Sequence, residues 1–379
     1  MPKPLYPINP DRTVAWNQIP LLPIHTALFR DLDVMESLIE AKASIGKLQG
    51  RSIAIPDPAV LINSIILQEA KSSNEIENIF TTEDELYKAF GEEKDDEKEK
   101  GTVKEVLHYR EAIWQGFEYL KTNGKFDIEY LLKIYRTVKR ANDGIRPAQS
   151  KVYIKQGGSG PNAGKVVYTP PVGDEIIEKL LENLVLFIND DITYKVDPLL
   201  KMAICHYQFE AIHPFRDGNG RVGRILNIHI LTDKELLDLP VLYLSKYILE
   251  TKDLYYSHLA GVSQRGDWKS WLLYMLKGIE ITANSAYQKI NEILELKKNI
   301  SDILVNSKEF LHPEGLADMI FIQPYSKVKH FTANKVYAEN TARKYLERLC
   351  QKPYSMLQKK RISGNDYYVN IDFVRLLGE

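Results

Sequence analysis

Apolar side chains recur at three- and four-residue steps over much of the chain, which is the spacing of one face of an α-helix. Between positions 26 and 46 these apolar residues are Leu28, Leu32, Met35, Leu38, Ile39 and Ala43. The same spacing predicts further helices at 60–77, 103–120, 128–141, 174–189, 198–212 and 268–298. The sequence therefore predicts a mainly α-helical fold.

One segment in the middle of the chain breaks this helical pattern. Val152, Tyr153 and Ile154 form a short β-prone run, and a second run follows at 166–168. The residues between them are rich in glycine, and two prolines follow the second run. Short β-prone runs on either side of a glycine-rich segment predict a β-hairpin with a long tip.

The last 75 or so residues have a different order of elements. Helical spacing at 316–320 and 338–349 is followed by two short strands at 356–360 and 367–369, which is the order of a winged helix. Positions 325 to 361 contain ten Lys and Arg residues and only two acidic residues, Glu339 and Glu347. This basic surplus indicates either contact with DNA or a face that is only solvated, and winged helices also dock proteins, so the sequence leaves these alternatives open.

These changes of pattern divide the chain into three regions. We predict an N-terminal helical region at 1–100, a catalytic core at 101–298 and a winged-helix domain at 299–379. A mixed charge run at 92–100 separates the first region from the second and is interpreted as solvated.

Composition narrows the class of protein. The 379 residues carry 50 basic and 51 acidic side chains, so the net charge of −1 argues against a protein that coats nucleic acid with its whole surface. Cys205 and Cys350 are too few for a disulfide framework or a zinc site, which favours a reducing, cytoplasmic compartment. No signal peptide is recognised, and no apolar run approaches the ~20 residues of a membrane helix.

Candidate chemistry is concentrated in HPFRDGNGRVGR, residues 213–224. Gly218, Asn219 and Gly220 lie between two predicted helices and tolerate positive φ, so their N–H groups can point at one anion. The next helix adds its positive N-terminal end. The turn therefore predicts a phosphate cradle.

The charged residues of this stretch extend that interpretation. Arg221 and Arg224 are three residues apart on one helical face, where their guanidinium groups suit phosphate oxygens. Asp217, the single carboxylate in the loop, suits a Mg²⁺ ion that also binds phosphates. His213 precedes Asp217 at the end of a helix and is placed to deprotonate a hydroxyl.

The stretch resembles the signature of the Fic domain, H-P-F-x-[DE]-G-N-G-R-x-x-R, and matches every fixed position. This resemblance implies a Fic-type helical core that transfers AMP from ATP to a Tyr, Thr or Ser hydroxyl of a protein, including the enzyme itself. It implies that His213 is the general base, that Asp217 binds Mg²⁺, and that Arg224 binds the γ-phosphate. The implied nucleotide-binding residues are Gly218, Asn219, Gly220, Arg221, Val222, Gly223, Arg224 and Tyr256, the last in the adenine pocket.

Two further segments take their roles from the same resemblance. The hairpin with Val152, Tyr153 and Ile154 corresponds to a flap that pairs with the target main chain. An asparagine that the family often has seven residues after Tyr256 is Ser263 here, so that contact to the nucleobase is not expected.

The stretch EAKSSNEIEN, residues 69–78, resembles the inhibitory signature [ST]-x-x-x-E-[GN] of the family. Ser73, Glu77 and Asn78 match it, within a predicted inhibitory helix at about 60–78. Residues four apart share a helical face, so Ser73 and Glu77 are expected on one side. The resemblance implies that Glu77 pairs with Arg224 and displaces the γ-phosphate from it.

Alternatives to AMP transfer stay open at this point. The same fold could remove AMP from a modified protein or use another nucleotide donor. A DNA-binding regulator with a nucleotide-sensing core is a third hypothesis, with residues 325–361 as its DNA surface. The expected partners are ATP, a protein hydroxyl and a second copy of the chain in a homodimer, with no membrane.

Overall fold

The structure is a computed structural model that describes residues 5–53, 58–82, 85–86, 89, 101–155, 163–332, 336–362 and 364–378. Its helices are α1 (Leu32–Ile53), α2 (Pro58–Ile76), α3 (Gly101–Asn123), α4 (Ile128–Lys139), α5 (Ile176–Asn189), α6 (Pro198–Ile212), α7 (Asn219–Asp233), α8 (Leu244–Glu250), α9 (Lys252–Arg265), α10 (Trp268–Ser307), α11 (Pro313–Ile322), α12 (Val328–Thr332), α13 (Glu339–Leu349) and α14 (Ile371–Gly378). The strands are β1 (Ile154–Lys155), β2 (Val166–Tyr168), β3 (Tyr325–Ser326), β4 (Gln358–Ile362) and β5 (Asn365–Val369). The predicted mainly α-helical class is confirmed.

Helix α6 lies at the centre of the core. Its apolar residues are spread around the helix, and nearly all of its residues are buried, including the polar Lys201, His206 and Gln208. A helix that is apolar all round needs neighbours on all sides. It packs against α5, α7 and α10, and α7 in turn packs against α2, α3 and α4. The loop between α6 and α7 is therefore held by the two most enclosed helices.

The N-terminal helices pack onto this core. Helix α1 packs along α10, and α2 packs against α3 and α8. The predicted start of the first helix at position 26 is wrong: a 3₁₀ turn occupies Thr26–Leu28, and α1 begins at Leu32. The Asp31 carboxylate accepts the N–H of Asp33 at 3.0 Å, as a capping side chain does, which sets this start.

Helix α10 extends the predicted helix at 268–298 as far as Ser307. The predicted boundary after residue 298 therefore falls inside a helix, and the division into three regions stays a prediction. No helix among the described residues combines the length and apolar character that a membrane crossing needs.

The hairpin is shorter than its sequence pattern indicates. Strands β1 and β2 pair antiparallel, with Ile154 opposite Tyr168 and Lys155 opposite Val166. Val152 and Tyr153 were predicted as strand residues but precede the first paired residue. Residues 156–162 of the predicted tip lie outside the described residues, as do 92–100 of the charge run.

The C-terminal region has the element order of a winged helix. Helices α11, α12 and α13 are followed by the β4–β5 hairpin, and β3 pairs with the other edge of β5. Several basic residues of 325–361 are paired with acids: Arg343 with Glu339, Arg348 with Glu309, and Lys359 with both Glu347 and Asp366. Glu309 and Asp366 lie outside the counted window, so the local surplus is smaller than the sequence count.

Candidate active site

The site begins where α6 ends. Asp197 caps the start of this helix, and Pro198 occupies its first turn. At the other end His213 has a left-handed φ of 50°, and its N–H donates to the Phe209 carbonyl at 3.0 Å. Pro214 cannot continue the hydrogen-bond ladder, so the chain leaves the helix here. These features place the imidazole at the start of the loop to α7.

Phe215 and Asn219 fix the shape of this loop. Phe215 is fully buried, and its ring stacks on Tyr135 with a centroid distance of 4.0 Å. The Asn219 side chain accepts the N–H of Phe215 at 2.9 Å and donates to the Phe215 carbonyl at 2.8 Å. The Asn219 amide side chain thus holds the turn in shape, and its main-chain N–H is not used in these contacts.

The N-terminus of α7 is open to an anion. Gly218 precedes it with a φ of 79°, a conformation that suits glycine, and no side chain of the described residues caps the helix. First-turn N–H groups without a partner attract negative charge. Val222 does not contribute to this cradle as predicted, because its side chain lies in the core and its N–H donates to Gly218.

Arg224 lies one turn along α7 and is bound by the end of α2. Its Nε donates to the Ser73 hydroxyl at 2.8 Å, and one Nη donates to the Ser73 carbonyl at 2.9 Å. The same Nη contacts a Glu77 carboxylate oxygen at 2.8 Å. Arg224 is 3% exposed. Burial is the largest effect and disfavours its charge, but the Glu77 carboxylate together with Tyr109 and Tyr255 outweighs it, so the pKa of Arg224 is raised.

Glycine at position 220 leaves room for this contact. A Cβ on Gly220 would lie 2.6 Å from the nearer Glu77 oxygen and 3.0 Å from an Nη of Arg224. The carboxylate therefore lies against the first turn of α7, beside Gly220. Asn78, the third residue of the predicted inhibitory signature, has a φ of 62° just after α2 and is exposed.

A buried carboxylate holds α2 in this position. Glu69 accepts the Ser245 N–H at 2.9 Å, and also the hydroxyl groups of Ser245 and Tyr109. Full burial raises the pKa of Glu69 despite these hydrogen bonds. The network joins α2 to α3 and α8 about two turns before Glu77. The body of α2 is therefore part of the core, whereas Glu77 itself is 34% exposed.

Arg221 lies beside the start of the cradle, since a Cβ on Gly218 would lie 3.9 Å from one of its Nη atoms. It is buried, pairs with the Glu105 carboxylate, and donates to the Asn74 side chain at 3.3 Å. Glu105 and Asn74 were not predicted from the sequence, because they lie far from position 221 in the chain. In this arrangement Arg221 ties α7 to α2 and α3.

Asp217 is paired with a lysine that the sequence analysis also overlooked. Lys139, the last residue of α4, contacts the Asp217 carboxylate at 2.7 Å. Partial burial works against ionisation, but Lys139 outweighs it, so the pKa of Asp217 is lowered. No group of three or more His, Cys, Asp or Glu side chains suited to a metal occurs in the described residues. One exposed carboxylate beside an anion cradle suits Mg²⁺, which takes few protein ligands.

His213 is neutral in this environment. Burial is the largest cause that lowers its pKa, to about 4, and the positive charge of Arg146 adds to it. The Glu210 carbonyl and the charges of Glu77 and Asp217 oppose the shift. The His213 Nδ1 has no hydrogen-bond partner among the described residues. A neutral, half-buried imidazole can accept a proton.

Glu210 is a second carboxylate near Arg224. Burial raises its pKa to about 7, while the charge of Arg224 opposes this. One of its oxygens is buried without a partner in the described residues, and a Cβ on Gly223 would lie 2.5 Å from that oxygen. Gly223 therefore makes room for a side chain, and the structure gives it no other role in the cradle.

Tyr256 lies near the same charges. It is 43% exposed, its ring packs edge-on against Tyr255, and burial followed by the Glu77 charge raises its pKa to about 12. The hydroxyl of Tyr255 contacts His206 Nε2 at 2.8 Å, while His206 Nδ1 faces the Gly223 carbonyl at 3.2 Å. Ser263 is buried, and its main-chain carbonyl accepts the N–H of Asn9.

The geometry thus defines a helical protein with an anion-binding helix start, a neutral histidine beside it and a carboxylate from another helix across it. Sequence models of the Fic/DOC family N-terminal domain, the Fic/DOC family and the C-terminal domain of SoFic-like protein adenylyltransferases match residues 35–118, 125–231 and 296–373. The chain belongs to the Fic/DOC family.

Curated relatives share parts of the chain. Protein adenylyltransferase fic-1 of Caenorhabditis elegans is 28% identical over 192 residues, 49% of this chain and 32% of that protein. A probable protein adenylyltransferase of Aquifex aeolicus is 40% identical over 81 residues, 21% of this chain and 24% of that protein. The chain thus spans about a third or less of these relatives.

Solved structures share the fold. A Fic family protein from Desulfovibrio desulfuricans G20 superposes with a TM-score of 0.53 at 20% identity, over 88% of this chain and 95% of that one. Fic-1 of C. elegans superposes with a TM-score of 0.51 at 21% identity, over 69% of this chain and 74% of that one.

Proposed function

We propose that this chain is a protein adenylyltransferase that moves AMP from ATP to a Tyr, Thr or Ser hydroxyl of a protein, including itself. The observation that carries the proposal is the arrangement of one loop. Neutral His213 lies at its start, the uncapped α7 N-terminus follows, and Arg224 is held by Glu77 one turn further. The names of the relatives agree with this chemistry.

In the proposed reaction the imidazole of His213 accepts the proton of the target hydroxyl. That oxygen forms a bond to the α-phosphorus of ATP, the bond from this phosphorus to the β-phosphate oxygen breaks, and pyrophosphate leaves. Main-chain N–H groups of Asn219 and Gly220 would bind phosphate oxygens, and Arg224 would bind the γ-phosphate. The predicted third donor, the N–H of Gly218, donates to the Asp217 carboxylate at 2.7 Å and would reach a phosphate only after leaving that carboxylate. Asp217 would hold Mg²⁺, which supplies positive charge to the phosphates when bound.

The second part of the proposal is autoinhibition by Glu77. Its carboxylate lies 2.8 Å from the Arg224 guanidinium, which the γ-phosphate would need as its partner. The same carboxylate lies beside the helix turn that would bind the triphosphate. Two anions cannot share this small positive surface without strong repulsion. Because α2 is anchored at Glu69, release needs a movement of the helix end around Glu77 rather than of the whole helix.

Incubation with ATP labelled at the α- or the γ-phosphate tests the reaction class. AMP transfer puts only the α-label on protein, whereas transfer of the terminal phosphate puts only the γ-label. A protein carrying AMP that loses its label on incubation would instead indicate AMP removal. Label from another nucleotide donor in place of ATP would identify a different transferase.

Replacing Asp217 with asparagine is expected to weaken Mg²⁺-dependent binding of a non-hydrolysable ATP analogue about tenfold or more. The reason is the loss of a charged contact of ~1.5–3 kcal/mol. Calorimetric titration with and without Mg²⁺ measures the effect. Lys139→Met is the matched control, since it removes the ion-pair partner and keeps the carboxylate. If both variants lose the metal dependence equally, Asp217 shapes the loop and does not bind the metal.

We also propose DNA binding by the C-terminal region as a second function, because α13 and the β4–β5 hairpin expose Lys344 and Arg361. Lys359, by contrast, is paired with two acids. Replacing Lys344 and Arg361 with glutamine should reduce the salt slope of duplex binding by about one per charge removed. Lys298→Gln on α10 is the control. Binding with an unchanged slope would rule out this surface. The homodimer stays a prediction.

A further inference from the structure

The base of the hairpin meets the catalytic loop at one buried arginine, which the sequence analysis overlooked. Arg146 lies in the segment between α4 and β1 and is 2% exposed. Its Nε donates to the His213 carbonyl at 2.9 Å. One Nη donates to the Ser150 carbonyl at 2.8 Å, and the other to the Pro171 carbonyl at 2.5 Å. Ser150 precedes β1 and Pro171 follows β2.

The partners of Arg146 are all main-chain carbonyls. A longer contact of 3.4 Å reaches the Ile212 carbonyl at the end of α6, and the N–H of Arg146 donates to the Pro214 carbonyl at 2.9 Å. No carboxylate pairs with this guanidinium among the described residues. Carbonyls at a helix C-terminus carry partial negative charge and stabilise a cation there. The positive charge of Arg146 therefore lies next to His213, the residue that begins the catalytic loop.

Three nitrogens of one planar group thus contact three separate pieces of backbone. The guanidinium has a fixed fork of donors, so movement of either end of the hairpin would alter the contact with His213. A lysine has three donors on a single atom and could serve only some of these carbonyls. Tyr168 adds a parallel link, because its hydroxyl donates to the Ala211 carbonyl at 2.8 Å.

We propose that Arg146 is a positioning residue that couples the hairpin to His213, so that a target segment paired with the hairpin is aligned with the catalytic imidazole. This assignment rests on the proposed AMP transfer. The residue does not contact the α7 cradle. It acts on the alignment of hydroxyl and base, and affinity for ATP is independent of it.

The charge of Arg146 has a second effect on the same histidine. It is the second-largest cause of the lowered pKa of His213, after burial. The groups that act in the other direction are the Glu210 carbonyl at the end of α6, Glu77 after α2, and Asp217 in the loop. Removing the arginine charge while these remain raises the pKa of His213, and so reduces the share of neutral base near neutral pH.

The test uses Arg146→Gln and Arg146→Lys in a Glu77→Gly chain, with Lys201→Gln as the matched control. Lys201 is also a buried cation that donates to main-chain carbonyls, those of Ile188 and Asp190, and unlike Arg146 it pairs with a carboxylate, that of Asp191. None of these partners belongs to the hairpin or to His213. Three readouts are needed: the self-labelling rate at saturating ATP, the ATP concentration for half-maximal rate, and the His213 titration by NMR of ¹³C-labelled histidine. Thermal unfolding of each variant is followed alongside.

Arg146→Gln should lower the saturated labelling rate about 100-fold, the order expected for a small misplacement of reacting groups, with half-saturating ATP unchanged within about threefold. The pKa of His213 should rise, while burial still holds it below the value of an exposed histidine. Arg146→Lys should keep the pKa low and still lose about tenfold in rate. Lys201→Gln should keep the rate and the titration at temperatures where it is folded.

An unchanged labelling rate in Arg146→Gln, or an unmoved His213 titration, overturns the assignment. So does an equal loss of rate in the Lys201→Gln control. If Arg146→Gln does not fold, the Arg146→Lys variant is used for the test instead. A labelling rate of Arg146→Lys equal to that of the Glu77→Gly parent would then contradict the coupling. If the Glu77→Gly parent takes up no label, AMP transfer itself fails, and the His213 titration alone then decides the role of Arg146.

Discussion

Replacing Glu77 with glycine is expected to raise self-labelling from α-labelled ATP about 10- to 100-fold. The variant loses a charge-assisted contact with Arg224, which is worth ~1.5–3 kcal/mol in proteins. It also clears the first turn of α7, where a Glu77 oxygen now occupies the space beside Gly220. Both changes favour a triphosphate bound along the helix start. Labelling over time at fixed ATP and Mg²⁺ measures the effect.

Glu75→Gly is the matched control for this variant. Glu75 lies in the last turn of the same helix, two residues before Glu77, and pairs with Lys71 at 3.7 Å. Its replacement carries the same entropic cost of glycine without removing a partner of Arg224. If both variants raise labelling alike, loosening of the helix end is the cause and the Glu77 carboxylate is not inhibitory. If neither does, the autoinhibition proposal is wrong.

Replacing His213 with alanine in the Glu77→Gly chain is expected to reduce labelling by a factor of ~10²–10⁴, the usual contribution of a general base. Binding of an ATP analogue should stay within about threefold, because the imidazole contacts no predicted phosphate ligand. Labelling kinetics and calorimetry measure the two quantities. His258→Ala on α9 is the control for loss of a histidine.

The pH dependence adds an independent check on this base. A base must be neutral to accept a proton, and burial lowers the pKa of His213 to about 4. Loss of Glu77 removes one of the charges that raise this pKa, so the variant keeps it low. Labelling should therefore stay constant as pH falls towards 5 and drop only below that. A rate that halves near pH 6.5 would indicate an ordinary, exposed histidine as the base.

The sequence predicted the fold class and the central helices because both depend on local spacing. The apolar run of α6 and the proline that follows His213 set this helix and its end, and the predicted range 198–212 is the observed one. The hairpin was predicted at the right place, but its first strand was predicted too long. β-prone residues such as Val152 do not show where main-chain pairing begins.

The site was predicted as a set of residues rather than as a set of contacts. The spacing of Ser73 and Glu77 indicated one helical face, and the structure places both on Arg224. Arg221, however, also pairs with Glu105, and Asp217 pairs with Lys139, and these partners lie 116 and 78 positions away in the chain. No local pattern indicates such partners. Arg146 was missed for the same reason. Its partners are main-chain carbonyls, and because every residue has one, the sequence does not show which of them bind an arginine.

Mass spectrometry of the Glu77→Gly protein after incubation with ATP and Mg²⁺ tests the central claim most directly. The proposal predicts a gain in mass of one AMP moiety on a Tyr, Thr or Ser side chain, found by peptide mapping and absent when His213 is also replaced. A protein that gains no mass, gains only a phosphate, or gains AMP equally without His213 would contradict it.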